Sequence, residues 1–180
     1  MNSDQRGTTL IRLAREAINA EFDTPLPPAP DFPWLNDSGA SFVTLTHKGR
    51  LRGCIGSLVA HRPLLEDLRF NAVAAAFHDP RFNALQPSEW PNTSVEVSLL
   101  SPSQVMLFDG EQDALAQLRP GIDGVILEYR HHRSTFLPQV WDQLPTPERF
   151  MFELKQKAGL PGDFWAEDMK LSRYTVEKFI

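Results

Sequence analysis

With 180 residues, 42% of them hydrophobic, and a single cysteine, the chain is long enough for one domain, or for two small lobes sharing a core. It can bury about 70% of its unfolded surface without disulfide staples. A net charge of −5 and a pI near 5.5 argue against broad attraction to nucleic-acid phosphates. No apolar run approaches the ~18 residues that a membrane span needs, the opening MNSDQRGTTLIRLAREAI lacks the pattern of a signal peptide, and one cysteine suits a reducing cytoplasm.

Leu10, Leu13, Ala14, Ala17 and Ile18 recur on one helical face, which predicts an amphipathic helix over 4–20 with Ser3 or Asp4 as its N-cap. Residues 23–40 carry prolines at 25, 27, 28, 30 and 33. They read as a stiff polyproline-like connector pinned by Phe32 and Trp34, or else as a proline-rich binding ligand.

Phe42 to Thr46 alternates apolar and polar residues as a half-buried strand does, His47 to Arg50 is a polar loop with a central glycine, and Leu51 to Leu58 returns as partner strand. On that strand Arg52, Cys54 and Gly56 share one face, with Leu51, Gly53, Ile55 and Ser57 on the other. Glycines weaken strands, so Gly53 and Gly56 around Cys54 mark a bulge or the close approach of a backbone or ligand. Arg52 and Cys54 stand roughly 7 Å apart at strand rise, a range at which a guanidinium favours thiolate. The other reading makes Cys54 a small buried hydrophobe.

Pro63 suits a first helical turn. Leu64, Leu68, Asn71, Ala72, Ala75 and Ala76 then predict a helix whose Ala-rich end sits close to the sheet holding Cys54, with Asn71 a core asparagine satisfied by backbone groups. Pro80 ends that helix and leaves Asp79 and Arg81 in a turn, where their charges either tie the turn together or meet a charged ligand. In the strand 93–100, Val95, Val97 and Leu99 take one face and Glu96, Ser98 and Leu100 the other; Glu96 is either a general base near the cysteine or a solvated residue.

A short helix follows over 112–118, then a second hairpin from 125–129 and 134–137 around His131 and His132, whose spacing does not suit a metal. Thr146 caps and Pro147 opens a helix that Gly159 and Pro161 stop. Residues 169–179 read as one final strand with Arg173, Thr175 and Glu177 on a face, a polar wall or a solvated one. Two hairpins, further strands and a few helices without regular alternation indicate α+β with antiparallel pairing.

LRGCIG at 51–56 resembles the signature of the AMMECR family. The likeness continues through Asn71-Ala72, residues 75–77, 79–82, 97–100, 121–124, 136–140, 157–159 and 171–174, in order across most of the chain. The resemblance implies a single AMMECR-type domain over 1–180 of two α/β lobes of unequal size, built on antiparallel sheets with a cleft between them. Prokaryotic members, called AmmeMemoRadiSam system protein A, are grouped with a Memo-type protein similar to metal-dependent dioxygenases and with a radical S-adenosylmethionine enzyme. This chain has no three-cysteine cluster motif, so a radical step would belong to that partner. No cofactor or metal is expected for the chain itself.

Two functions follow. In the first, the protein handles a small-molecule or peptide substrate in a cleft beside the LRGCIG hairpin. Cys54 is the reactive thiol, Arg52 favours its thiolate, Gly53 and Gly56 clear space, and Asp79, Arg81 or Glu96 orient the substrate, with Asn71 and Arg173 as further binding candidates. A thiol nucleophile needs a proton acceptor or a lowered pKa; His78 is the attractive base, although it lies just outside the family match. In the second, LRGCIG is a tightly packed hairpin in a non-catalytic binding or regulatory module. RNA binding is a variant of this, without an RNP-like aromatic strand pattern to support it.

Overall fold

The computed structural model describes residues 3–180, and two compact units account for them, each with its own sheet and core. One runs up to Leu100 and takes back Glu177–Ile180; the other is the stretch Ser101–Val176 in between.

In the first unit the apolar stripe near the start forms helix α1 (Ser3–Ala20), with Leu10, Leu13, Ala14, Ala17 and Ile18 buried. Since α1 already includes Ser3 and Asp4, neither caps it from outside, and the preceding residue falls outside the described ones. The prolines keep the connector out of regular structure apart from a single 3-10 turn at Pro33–Leu35. Phe32 and Trp34 stack with ring centroids 6.0 Å apart and pack against the core.

Strands β1 (Ala40–His47) and β2 (Arg50–Gly56) form the first hairpin. Lys48 and Gly49 both take positive φ, 51° and 75°, the two-residue turn whose twist matches that of the strands. Strand β3 (Thr93–Leu100) pairs antiparallel with β1 along its length. With β8 (Val176–Phe179) the sheet order is β2-β1-β3-β8, which leaves β2 on an edge. Val43, Leu45, Val95, Val97 and Leu99 share a core with α1 and with α2 (Leu64–Phe77). Pro63 does not open α2 but stands one residue ahead of it in extended conformation, ψ 141°.

The second unit holds β4 (Gln104–Val105), α3 (Gly110–Gln117), β5 (Gly124–Tyr129), β6 (His132–Phe136), α4 (Pro147–Lys157) and β7 (Lys170–Tyr174), with sheet order β4-β7-β5-β6. Its core gathers Val125, Leu127, Phe150, Leu154 and Leu171, with Trp141 stacked on Phe150 at 3.8 Å between centroids. Thr146 caps α4 as expected, its side chain accepting from the Arg149 N–H.

The single strand expected over 169–179 is two strands in two sheets. Thr175 separates β7 from β8, its N–H donating to Ser101 Oγ and its C=O accepting from the Ser101 N–H. Arg173 and Glu177 therefore belong to different units instead of one polar wall. Alternation along a sequence does not register a change of partner strand. The α+β class with antiparallel pairing is as the sequence predicts.

Candidate functional site

As an edge strand, β2 meets a different neighbour at almost every residue. A Cβ built on Gly53 would lie 2.0 Å from the Ala75 carbonyl oxygen, so the backbone of α2 passes where a side chain would be. Ala72, Ala75 and Ala76 are buried and supply the other half of that approach. At Gly56 the same test meets the Phe42 ring at 2.2 Å. The space expected to be cleared for a substrate by Gly53 and Gly56 is thus filled by the protein's own helix and ring.

Arg52 departs from its expected role as well. The β1–β2 register steps from Leu45↔Gly53 to Thr46↔Leu51, which leaves Arg52 as the extra residue of a bulge. Its guanidinium makes two parallel hydrogen bonds to Glu89, Nε to Oε1 and Nη2 to Oε2, both 2.9 Å, and lies 5.9 Å from the centre of the Phe82 ring. A carboxylate that accepts both prongs of the fork outcompetes a neighbouring thiol. The pair raises Arg52 and holds Glu89 at about 2, chiefly through that hydrogen bond, with the Gln86 N–H assisting.

Glu89 is depressed from its ordinary 4.5, so its contribution to stability is present above that value and drains away as pH falls toward about 2. Glu89→Gln should therefore flatten the acid limb of a urea-unfolding titration across this window. An unaltered limb would show that the pair contributes nothing.

Cys54 donates its N–H to Asp79 Oδ2 at 2.9 Å and receives Arg81 Nη2 on its carbonyl at 3.3 Å. Two side chains thereby occupy the strand edge as a pairing strand would. Asp79, 3% exposed, also accepts Arg81 Nε at 2.9 Å, Nη2 at 2.7 Å and the Arg81 N–H at 3.1 Å. Those bonds from Arg81 are the main reason its carboxyl sits well below the usual range, with burial opposing them and the Cys54 N–H assisting. Of the two readings of the turn after Pro80, the charges tie it together, and they tie it to β2.

Cys54 is half-buried, its sulfur 3.2 Å from Thr44 Oγ1. Among the described residues no histidine or carboxylate hydrogen-bonds it; His78 is the exposed C-cap of α2. Glu96 pairs with Thr44 across the ladder, as Cys54 does from the other side, so the three form one row. The Glu96 carboxylate is engaged with Lys178 Nζ at 2.9 Å.

Asn71 joins a different centre, which the sequence reading missed. Asp67 is fully buried. Its Oδ2 accepts the Ser41 N–H at 2.9 Å, Ser41 Oγ at 2.8 Å and Asn71 Nδ2 at 2.9 Å. Its Oδ1 accepts Ser57 Oγ at 2.6 Å and Arg62 Nε at 2.9 Å. The available signal was a polar pair four residues apart, Asp67 and Asn71, on the buried side of an apolar helix. Asn71, 1% exposed, donates on to the Ser41 carbonyl at 3.0 Å; among the described residues nothing donates to its Oδ1.

Beside this network opens a pocket of about 490 Å³ lined by Gly56, Ser57, Val59, Arg62, Phe70 and Asn71, among others. Arg62 lies 4.3 Å from the centre of the Phe70 ring. Arg173 belongs to the second unit, where it donates to the Gln117 carbonyl at 3.1 Å. Among the described residues no three His, Cys, Asp or Glu side chains converge as metal ligands, and no helix is long and apolar enough to cross a membrane.

The AMMECR1 family model matches residues 11–179. A protein of Methanothermobacter thermautotrophicus is 36% identical over 98% of this chain and 95% of its own length, and Protein MJ0810 of Methanocaldococcus jannaschii is 35% identical over 97% and 90%. The crystal structure of the uncharacterized protein PH0010 from Pyrococcus horikoshii matches with a TM-score of 0.79 at 35% identity, covering 98% of this chain and 91% of that one.

Proposed function

The chain belongs to the AMMECR1 family, and from that premise we propose that it is a binding module, taking a small molecule or a peptide into the pocket beside the LRGCIG hairpin. The observation that carries this reading is Asn71. Its amide oxygen has no donor, the residue is 1% exposed, and it lines open space. That oxygen is not sealed from solvent but stands at the pocket wall, an acceptor that a ligand N–H can take up in place of water. Arg62 and Phe70 add a charge and an apolar wall, the mixture that binding pockets use. In this reading LRGCIG is framework: its glycines admit α2 and Phe42, and its cysteine backbone is held by Asp79 and Arg81.

The test is a titration of the full chain with primary-amide fragments, followed by NMR. Shifts should concentrate at Gly56, Ser57, Phe70 and Asn71 and weaken in Phe70→Ala. Shifts that avoid those residues would defeat the reading.

A second reading rests on Cys54, a half-buried residue whose sulfur lies beside the Thr44 hydroxyl. There Cys54 is a reactive thiol that handles the substrate, with a Memo-type protein and a radical S-adenosylmethionine enzyme as partners and any radical step lying in the latter. Iodoacetamide should then modify Cys54 in the folded chain faster than it modifies free cysteine, and Cys54→Ala should abolish turnover without moving the unfolding midpoint. If the binding module is correct, alkylation is slow, and Cys54→Ala costs on the order of 1 kcal/mol while leaving the pocket's affinity intact.

A further inference from the structure

One wall of the pocket is a strand edge. In the β1–β2 ladder the Ser57 N–H donates to the Ser41 carbonyl at 2.9 Å, which fixes the phase of the hydrogen bonds. The pairs Phe42↔Gly56 and Thr44↔Cys54 are then the non-hydrogen-bonded kind, whose β2 members turn N–H and C=O away from β1. At Cys54 those outward groups are taken by Asp79 and Arg81. At Gly56, two residues on and in the same phase, no side chain among the described residues bonds them. They open toward the pocket that Gly56 helps to line.

We propose that this stretch of β2 takes up an extended segment of a partner polypeptide as an added strand, an inference that rests on the binding-module reading and names its ligand class. Added strands are held by main-chain hydrogen bonds, and pockets for alternate side chains make them selective. Three features of the site ask for such a ligand. The Gly56 N–H and C=O require an acceptor and a donor spaced as a peptide backbone spaces them. The Asn71 Oδ1 can accept a further N–H at the pocket wall. Around the mouth Leu58, Val59 and Phe70 are 42%, 45% and 57% exposed, an apolar seat for side chains that point one way at every second residue.

Charge narrows the sequence of the segment. The lining includes His61 and Arg62 and no carboxylate. Arg62 gives Nε to Asp67 and only a long 3.5 Å contact from Nη2 to Ser57 Oγ, so much of its fork remains available. The favoured segment sets an acidic group, a side chain or a C-terminal carboxylate, next to an apolar residue. Asp79 and Arg81 bar it from Cys54, so the added strand is short and its register begins at Gly56.

The experiment is selection of short random peptides, with free and with blocked C-termini, on the full chain. Enrichment should give alternating apolar residues with an acidic group, and the selected peptide should protect the Gly56 amide from hydrogen exchange. Enrichment only with free C-termini assigns the carboxylate to the chain end, and enrichment in both sets assigns it to a side chain. N-methylation of the peptide at alternate residues should weaken it roughly tenfold, as should Val59→Asp at its exposed position.

A selection without a shared pattern overturns the inference, as does a peptide indifferent to both changes. If amide fragments still perturb Asn71 and Gly56 in that case, the binding-module reading stands and only the strand is lost. If neither ligand binds, both fall.

Discussion

Gly53→Ala is expected to cost the first unit about 3 kcal/mol or more, or to prevent its folding. The added methyl group would sit 2.0 Å from the Ala75 carbonyl oxygen, well inside any tolerable contact, and the obstacle is backbone that cannot rotate aside. Neither partner is free to withdraw. The strand is paired with β1 on one side and held by Asp79 and Arg81 on the other, and α2 is anchored by Leu64, Leu68, Ala72 and Ala76 in the core. Urea unfolding followed by circular dichroism would measure the loss, and the thermal midpoint should drop by roughly 6–12 °C. A loss below about 1 kcal/mol would mean that helix and sheet separate easily, against the whole account of this hairpin.

Asp67→Asn is the second large effect, at about 3 kcal/mol or more. The carboxylate accepts five donors from Ser41, Ser57, Arg62 and Asn71. An amide of the same shape offers one acceptor oxygen and turns its own N–H groups toward donors. Arg62 retains 23% side-chain exposure and can rehydrate, whereas the Ser41 N–H and the Asn71 amide cannot. The cost therefore comes mainly from stranded neutral donors, and Arg62→Gln in the same background should recover little of it. A double-mutant cycle checks this division, and a large recovery would place the cost in the lost ion pair instead. Because Asn71 depends on Asp67 for its orientation, pocket binding should fall with stability even at temperatures where the variant remains folded.

Much of the architecture was readable from periodicity. Strand β3 occupies the predicted 93–100, the stripe Leu64, Leu68, Asn71, Ala72, Ala75 and Ala76 is buried along α2, and Thr146 and Pro147 open α4. The glycines around Cys54 predicted a bulge or a close approach, and both occur. What periodicity concealed was the change of partner. The bulge turned Arg52 toward Glu89, a residue remote in sequence with no signal linking the two. Thr175 divided what read as one strand. Asp67 went unnoticed because a buried carboxylate is satisfied by groups from a strand, a loop and a helix turn, and only the fold brings them together.

The way the first unit is interrupted has a consequence for how the chain is made. Its sheet needs β8, and Phe179 on that strand presses against Gly7 of α1, yet everything from Ser101 to Thr175 is synthesised before β8 appears. During translation the nascent helix α1 must wait with its apolar stripe uncovered at Gly7, while a complete second unit emerges and folds. Closure of that long excursion carries an entropy cost that grows only slowly with its length, so a whole second unit can stand between β3 and β8 at little more cost than a short loop would carry.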